Sequence, residues 1–263
     1  MIHSDKDIPK HIANRRESVF LLLAGIFLGS LALLNVLGIS RFIDLSSYFG
    51  IPQDSPIHFS IAIGVLAYPI TFLCTDFISE IYGRTRANRL VWVGLILNGW
   101  ILFILWLGGV INQPDGLGAD GQLAISIIDG QAEVPYGFSF YQIRFYTFGA
   151  TFASMIAYMA AQFCDVHVYH FLKKKTQGKK LWLRNNVSTL TSQLVDSVAV
   201  ILITYYYADA LPMRENESIG WQLVFFILSS YIFKVVFALI DTIPFYYGTR
   251  LLRKYLQVED EIK

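Results

Sequence analysis

Along this chain, apolar residues come in long blocks separated by short polar ones. A membrane-spanning helix needs about 20 mainly apolar residues, and six windows meet that length, roughly 18–39, 57–80, 89–111, 144–171, 186–207 and 220–248. The pattern predicts an all-α polytopic membrane protein: six transmembrane helices in a single integral membrane domain over residues 1–263, with one long connection at 112–143. The basic "HIANRRES" before the first block imitates the start of a signal peptide. The apolar run after it is too long for one and lacks a convincing small-residue cleavage pattern, so it reads as a retained helix.

Composition agrees. Of 263 residues, 54% are hydrophobic and 16% charged, and the mean hydropathy is +0.48, on the membrane side of what soluble domains show. The net charge of +1 gives no reason to expect a nucleic-acid partner; where the charges lie is more informative. With the N-terminus inside, every Lys and Arg except Arg41, Arg144, Arg214 and Lys234 falls on an inside segment, at 6–16, 84–89, 173–184 or 250–263. Cytoplasmic loops are enriched in these residues, so both termini are expected in the cytoplasm. The connection at 112–143 carries no Lys or Arg and reads as an external loop, in which "QLAISIID" is the segment able to form a short surface helix. Cys74 and Cys164 fall near cytoplasmic helix ends, where a structural disulfide is not expected, and read as small buried hydrophobes.

Ionisable groups in hydrocarbon cost at least a few kcal/mol each and usually face a cavity or one another. In the second helix, Asp76 and Glu80 are four apart and share a face, while Tyr68-Pro69 is expected to interrupt the backbone ladder. The plainer reading of Glu80 is an interfacial pair with Arg84 or Arg86. In the fourth helix Gln162 and Asp165 share a face; His167 and His170 do too, but lack further ligands, so no metal is expected. In the fifth, Asn185, Thr189, Gln193 and Asp196 follow one stripe that descends about 16 Å, with Asn186 and Ser188 off it, placed to cap the helix or meet a neighbour. In the sixth, Lys234 lies too deep to snorkel and needs an acid or a ligand; Asp241 is on its face, and Pro244 is placed to bend the helix. Together Asp76, Glu80, Gln162, Asp165, Asn185, Gln193, Asp196 and Lys234 predict a polar pocket reaching from mid-membrane to the cytoplasmic half. Carboxylates and amides beside aromatic rings suit a small planar heterocycle with amide-like and amino edges.

The segments "YPITFLCTDFISEIYGRTRANRLVWVG", "AYMAAQFCDVHVYHFLKKKT", "WLRNNVSTLTSQLVDS" and "YIFKVVFALIDTIPFYY" resemble the queuosine precursor transporters, a family within the vitamin uptake transporters, from about residue 20 to 250. The resemblance implies import of 7-cyano-7-deazaguanine, with 7-aminomethyl-7-deazaguanine as the second candidate, across a bacterial inner membrane. It also implies a helix count similar to the substrate-binding subunits of energy-coupling-factor transporters, but without their ATPase module, and no cofactor. Carried over by position, its pattern lands on Asp76, Glu80, Gln162, Asp165, Arg184, Asn185, Asn186, Ser188, Thr189, Gln193, Asp196 and Lys234. A homodimer is compatible with this. A purely structural membrane protein would leave the polar stripes of four helices unexplained, and two further rivals come from other classes. One is a capture subunit for another vitamin or nucleobase, needing a separate ATPase. The other is a membrane enzyme using Asp76 and Asp165 as an acid pair, which lacks a glycine before either aspartate and any nucleophile–base pair; no enzyme is expected.

Overall fold

The computed structural model describes residues 9–52, 55, 59–128, 131–177, 181–207, 209, 211–215 and 217–258, without the side chains of 84, 162, 165, 166, 169, 173 and 181–186. The architecture is helical: α1 (Lys10–Leu37), α2 (Tyr68–Tyr82), α3 (Arg84–Val110), α4 (Phe138–Lys175), α5 (Leu181–Tyr206) and α6 (Ile219–Leu256). Two small antiparallel hairpins interrupt it, β1 (Phe42–Asp44) with β2 (Ser60–Ala62), and β3 (Ser126–Ile128) with β4 (Gln131–Glu133). Among the described residues, five helical segments are long and apolar enough to cross a membrane: Lys10–Leu37, Ile63–Tyr82, Thr85–Val110, Val187–Tyr206 and Ile219–Leu256. α4, at 38 residues, occupies the remaining window. Large apolar side chains stand outward, with Trp92 66% and Ile96 70% exposed on α3, a surface that hydrocarbon rather than water would solvate.

Several local expectations change. Pro69 does not break a helix. It sits in the first turn of α2 after a 3-10 turn at Ile63–Ala67, where a missing N–H forfeits no helical hydrogen bond. "QLAISIID" is not a helix either: Ser126 to Ile128 pair with Gln131 to Glu133, and two successive isoleucines favour a strand. α4 starts at Phe138, inside the expected loop, and α5 at Leu181, so Asn186 and Ser188 lie within α5 rather than at its start.

The chain forms two compact units. The first comprises Met1–Leu34, Leu66–Ile101 and Val236–Lys263. Its core joins Leu23, Ala24 and Phe27 of α1 to Phe77, Ile78 and Ile81 of α2, with Ala87 and Leu90 of α3 and Leu256 of α6. Close approach is set by glycine: a Cβ on Gly248 would stand 2.4 Å from Cζ of Phe77, whose ring stacks on Phe245 at 5.7 Å. Helix ends meet at one end of this unit. Tyr82 donates its hydroxyl to the Arg16 carbonyl (2.8 Å), Arg16 donates to the carbonyls of Leu256 (3.0 Å) and Gln257 (2.9 Å), and Arg86 pairs with Glu17 (3.6 Å). The start of α1, the end of α2, the start of α3 and the end of α6 therefore gather together. Only Gly83 separates α2 from α3, with φ of 88°, a conformation open to glycine and costly for other residues.

The second unit comprises Asn35–Val65 and Leu102–Val235. α4 and α5 pack along each other through small residues, Thr147, Ala150, Thr151, Ala153 and Ala157 on α4 and Ser188, Ser192, Ser197 and Thr204 on α5 all being buried. Small side chains let membrane helices approach closely where no hydrophobic force drives them together. Gln222 pins the turn before α6 by donating to the carbonyls of Arg214 (3.0 Å) and Glu217 (3.1 Å) and accepting from the Arg214 amide (2.8 Å).

Candidate functional site

In the second unit, the Lys234 ammonium of α6 donates to a carboxylate oxygen of Asp196 on α5. The lysine side chain is 4% exposed and the aspartate 14%. Each lies 15 residues into its helix, about 22 Å from its start, which is near the middle of a bilayer. Alone, either charge would cost several kcal/mol to bury; together each cancels most of the other's penalty. The acid that Lys234 requires is thus Asp196, rather than Asp241 on its own face. Asp241 belongs to the first unit.

One turn before Asp196, Gln193 holds its side-chain oxygen buried with no hydrogen-bond partner among the described residues. An unsatisfied buried acceptor costs about 1–3 kcal/mol, and a ligand N–H would satisfy it. Ser197, fully buried one residue beyond Asp196, leaves its hydroxyl without a described partner too. Thr189, the next residue up the stripe, is exposed. Gln162 and Asp165 lie on α4 and Asn185 and Asn186 on α5, their side chains outside the described residues. Ser229 and Ser230, buried one turn before Lys234, were missed by sequence reasoning, although "SSYIFK" placed two small polar residues on the helix that carries the lysine.

Glu80, in the first unit, pairs with Arg253 of α6, not with Arg86, which Glu17 takes; Arg84's side chain lies outside the described residues. Asp76 is exposed on α2. Among the described residues no three His, Cys, Asp or Glu side chains come together as metal ligands. The Nδ1 of His167 instead lies 2.7 Å from the Phe163 carbonyl of its own helix.

Residues 62–248 match the family described as "Putative vitamin uptake transporter". The chain belongs to the vitamin uptake transporter family. Relatives match over about 70% of the chain. It is 26% identical over 183 residues to the "Queuosine precursor transporter" of Escherichia coli (strain K12), covering 70% of each chain. It is 27% identical over 192 residues to the "Probable queuosine precursor transporter" of Bacillus subtilis (strain 168), covering 72% of this chain and 71% of that one. No solved structure matches the chain. A vitamin uptake transporter is a membrane carrier of small molecules rather than an enzyme, and the Lys234–Asp196 pair, with the open acceptor of Gln193 beside it, has the chemistry of a polar solute site.

Proposed function

We propose that this vitamin uptake transporter imports a queuosine precursor, 7-cyano-7-deazaguanine first and 7-aminomethyl-7-deazaguanine second, across the bacterial inner membrane for tRNA queuosine modification. The observation that carries this is the buried Lys234–Asp196 pair at mid-helix, with the unsatisfied Gln193 oxygen one turn away. Transporter substrate sites lie near the bilayer midplane. A guanine-like edge offers adjacent N–H donors to the Asp196 carboxylate and the Gln193 carbonyl, and its ring carbonyl accepts from Lys234. The names of the relatives favour this substrate class. By spacing, Asn185 and Thr189 continue the α5 stripe above Gln193, with Asn186 beside it, and Gln162 and Asp165 are the candidates on α4. Asp76 and Glu80, in the first unit, are candidates from the sequence, by their spacing and by the resemblance.

In the proposed cycle the empty site is held by the Lys234–Asp196 pair. Substrate competes for both partners and so shifts the balance between outward- and inward-open forms. The topology is six helices with both termini inside: α4 crosses the membrane as well, and the basic ends gathered in the first unit form its cytoplasmic side. Like the substrate-binding subunits it resembles, the chain captures a small ring compound, but it transports without an ATPase module. The test is uptake of labelled 7-cyano-7-deazaguanine by proteoliposomes holding the purified protein alone, beside binding assays with a panel of deazaguanines, vitamins and nucleobases. Uptake by the pure chain is the expected result. Uptake only after an ATPase module is added makes it a capture subunit, and binding of a different compound class alone removes the queuosine assignment.

A further inference from the structure

At the other end of the α4–α5 pair from the lysine-rich turn lies a second built site. The connection before α4, the first turns of α4 and the end of α5 border a half-open pocket of about 290 Å³ whose lining includes Asp120, Arg144, Phe145, Phe148 and Tyr207. That volume is at the lower end of small-molecule pockets, about 300–1,000 Å³, and suits a two-ring heterocycle. Its chemistry is three aromatic side chains, one cation and one carboxylate.

Arg144 is held in place without being neutralised. Its guanidinium carbon lies 5.7 Å from the Phe148 ring centre and 5.9 Å from that of Tyr141. It rests against Gly109, where a Cβ would stand 2.4 Å from its Nε. Among the described residues that buried Nε has no hydrogen-bond partner and no carboxylate pairs with the group. Asp120 is fixed differently, one carboxylate oxygen accepting from the Gln122 amide at 3.1 Å. The terminal N–H groups of the guanidinium, set among aromatic faces, can bind two neighbouring acceptors on one edge of a flat ring, and the second carboxylate oxygen of Asp120 can accept from a ring N–H.

We propose that this cavity is an outer recognition site of the import pathway, where the precursor docks before it reaches Lys234 and Asp196. This rests on the queuosine-precursor reading above. Arg144 donates to the ring carbonyl and the adjacent nitrile of 7-cyano-7-deazaguanine, and the aromatic side chains cover the ring. Arg144 and Lys174 are 30 residues apart along α4, about 45 Å, which matches a bilayer with its headgroups. With the lysines inside, the cavity faces outside.

The test measures uptake kinetics in right-side-out vesicles for 7-cyano-7-deazaguanine and for 7-deazaguanine, which lacks the nitrile. The wild-type protein is expected to favour the cyano compound about tenfold in KM, the size of one two-point contact. Arg144→Lys, which keeps the charge but loses the fork, and Arg144→Met both abolish that preference by raising KM for the cyano compound, with kcat at saturation little changed. If the arginine variants fail to insert, Tyr207→Ala carries the test and raises KM for both compounds alike. Wild-type KM and preference in Arg144→Lys, or unchanged KM in Tyr207→Ala, overturns the outer site while import stands. A wild-type protein that imports neither compound overturns the queuosine reading, and this ligand with it.

Discussion

Lys234 of α6 and Asp196 of α5 neutralise each other about 22 Å into their helices, where neither side chain can reach water by extending along the membrane. Their separation of 38 residues in the chain makes the pair a tertiary contact that locks two helices together as well as a binding group.

Breaking this pair from one side should destabilise more than removing it whole. Asp196→Asn and Lys234→Met each leave one charge or its desolvated remnant buried, at a cost of about 3–5 kcal/mol. The double variant Asp196→Asn/Lys234→Met is expected to recover most of the thermal stability in detergent while uptake stays lost. A double variant that transports normally would take the pair out of the mechanism.

Gln193 separates binding from folding. Its oxygen is buried without a partner among the described residues, so Gln193→Leu removes a polar group that folding does not use. Thermal stability should hold or rise by about 1 kcal/mol, while substrate affinity falls tenfold or more. A clear drop in stability would mean that the amide is structural.

The sequence carried the depth of Lys234 and the α5 stripe, because helical period and apolar length are local properties. It offered two acids for that lysine, Asp241 on the same face and Asp196 on another helix, and had no means to choose, since helix docking is not written in local spacing. The Arg253 partner of Glu80 was out of reach for the same reason, being 173 positions away, whereas sequence proximity pointed to Arg84 and Arg86. Pro69 was visible, but its effect depended on whether a helix began before it or at it. Arg144 was seen only as an external charge: Tyr141 and Phe148, three before and four after it on α4, were legible as its neighbours, but Asp120, Gly109 and Tyr207 are brought to it from separate segments.

Two glycines at helix contacts predict opposite tolerances. A Cβ on Gly248 meets a rigid Phe77 ring at 2.4 Å, whereas one on Gly94 meets the end of a flexible Leu31 at 2.8 Å. Gly248→Ala should cost about 1–3 kcal/mol of stability and be relieved by Phe77→Leu; Gly94→Ala should be close to neutral. Equal thermal shifts in the two variants would contradict the packing described for the first unit.

The placement of charges predicts which ends label from which side. Basic residues at Arg15, Arg16, Arg86 and Arg253 gather with the helix ends of the first unit, and Lys174 ends α4 opposite the Asp120 cavity. Single cysteines can be introduced into a protein whose own Cys74 and Cys164 are replaced by alanine. Asp120→Cys should then react with a membrane-impermeant maleimide added to intact cells. Lys174→Cys and Arg15→Cys should react only after permeabilisation. Because α4 carries both Asp120's cavity and Lys174 at its two ends, labelling of both from the same side would mean that α4 does not cross the membrane, and the six-helix topology would fall with it.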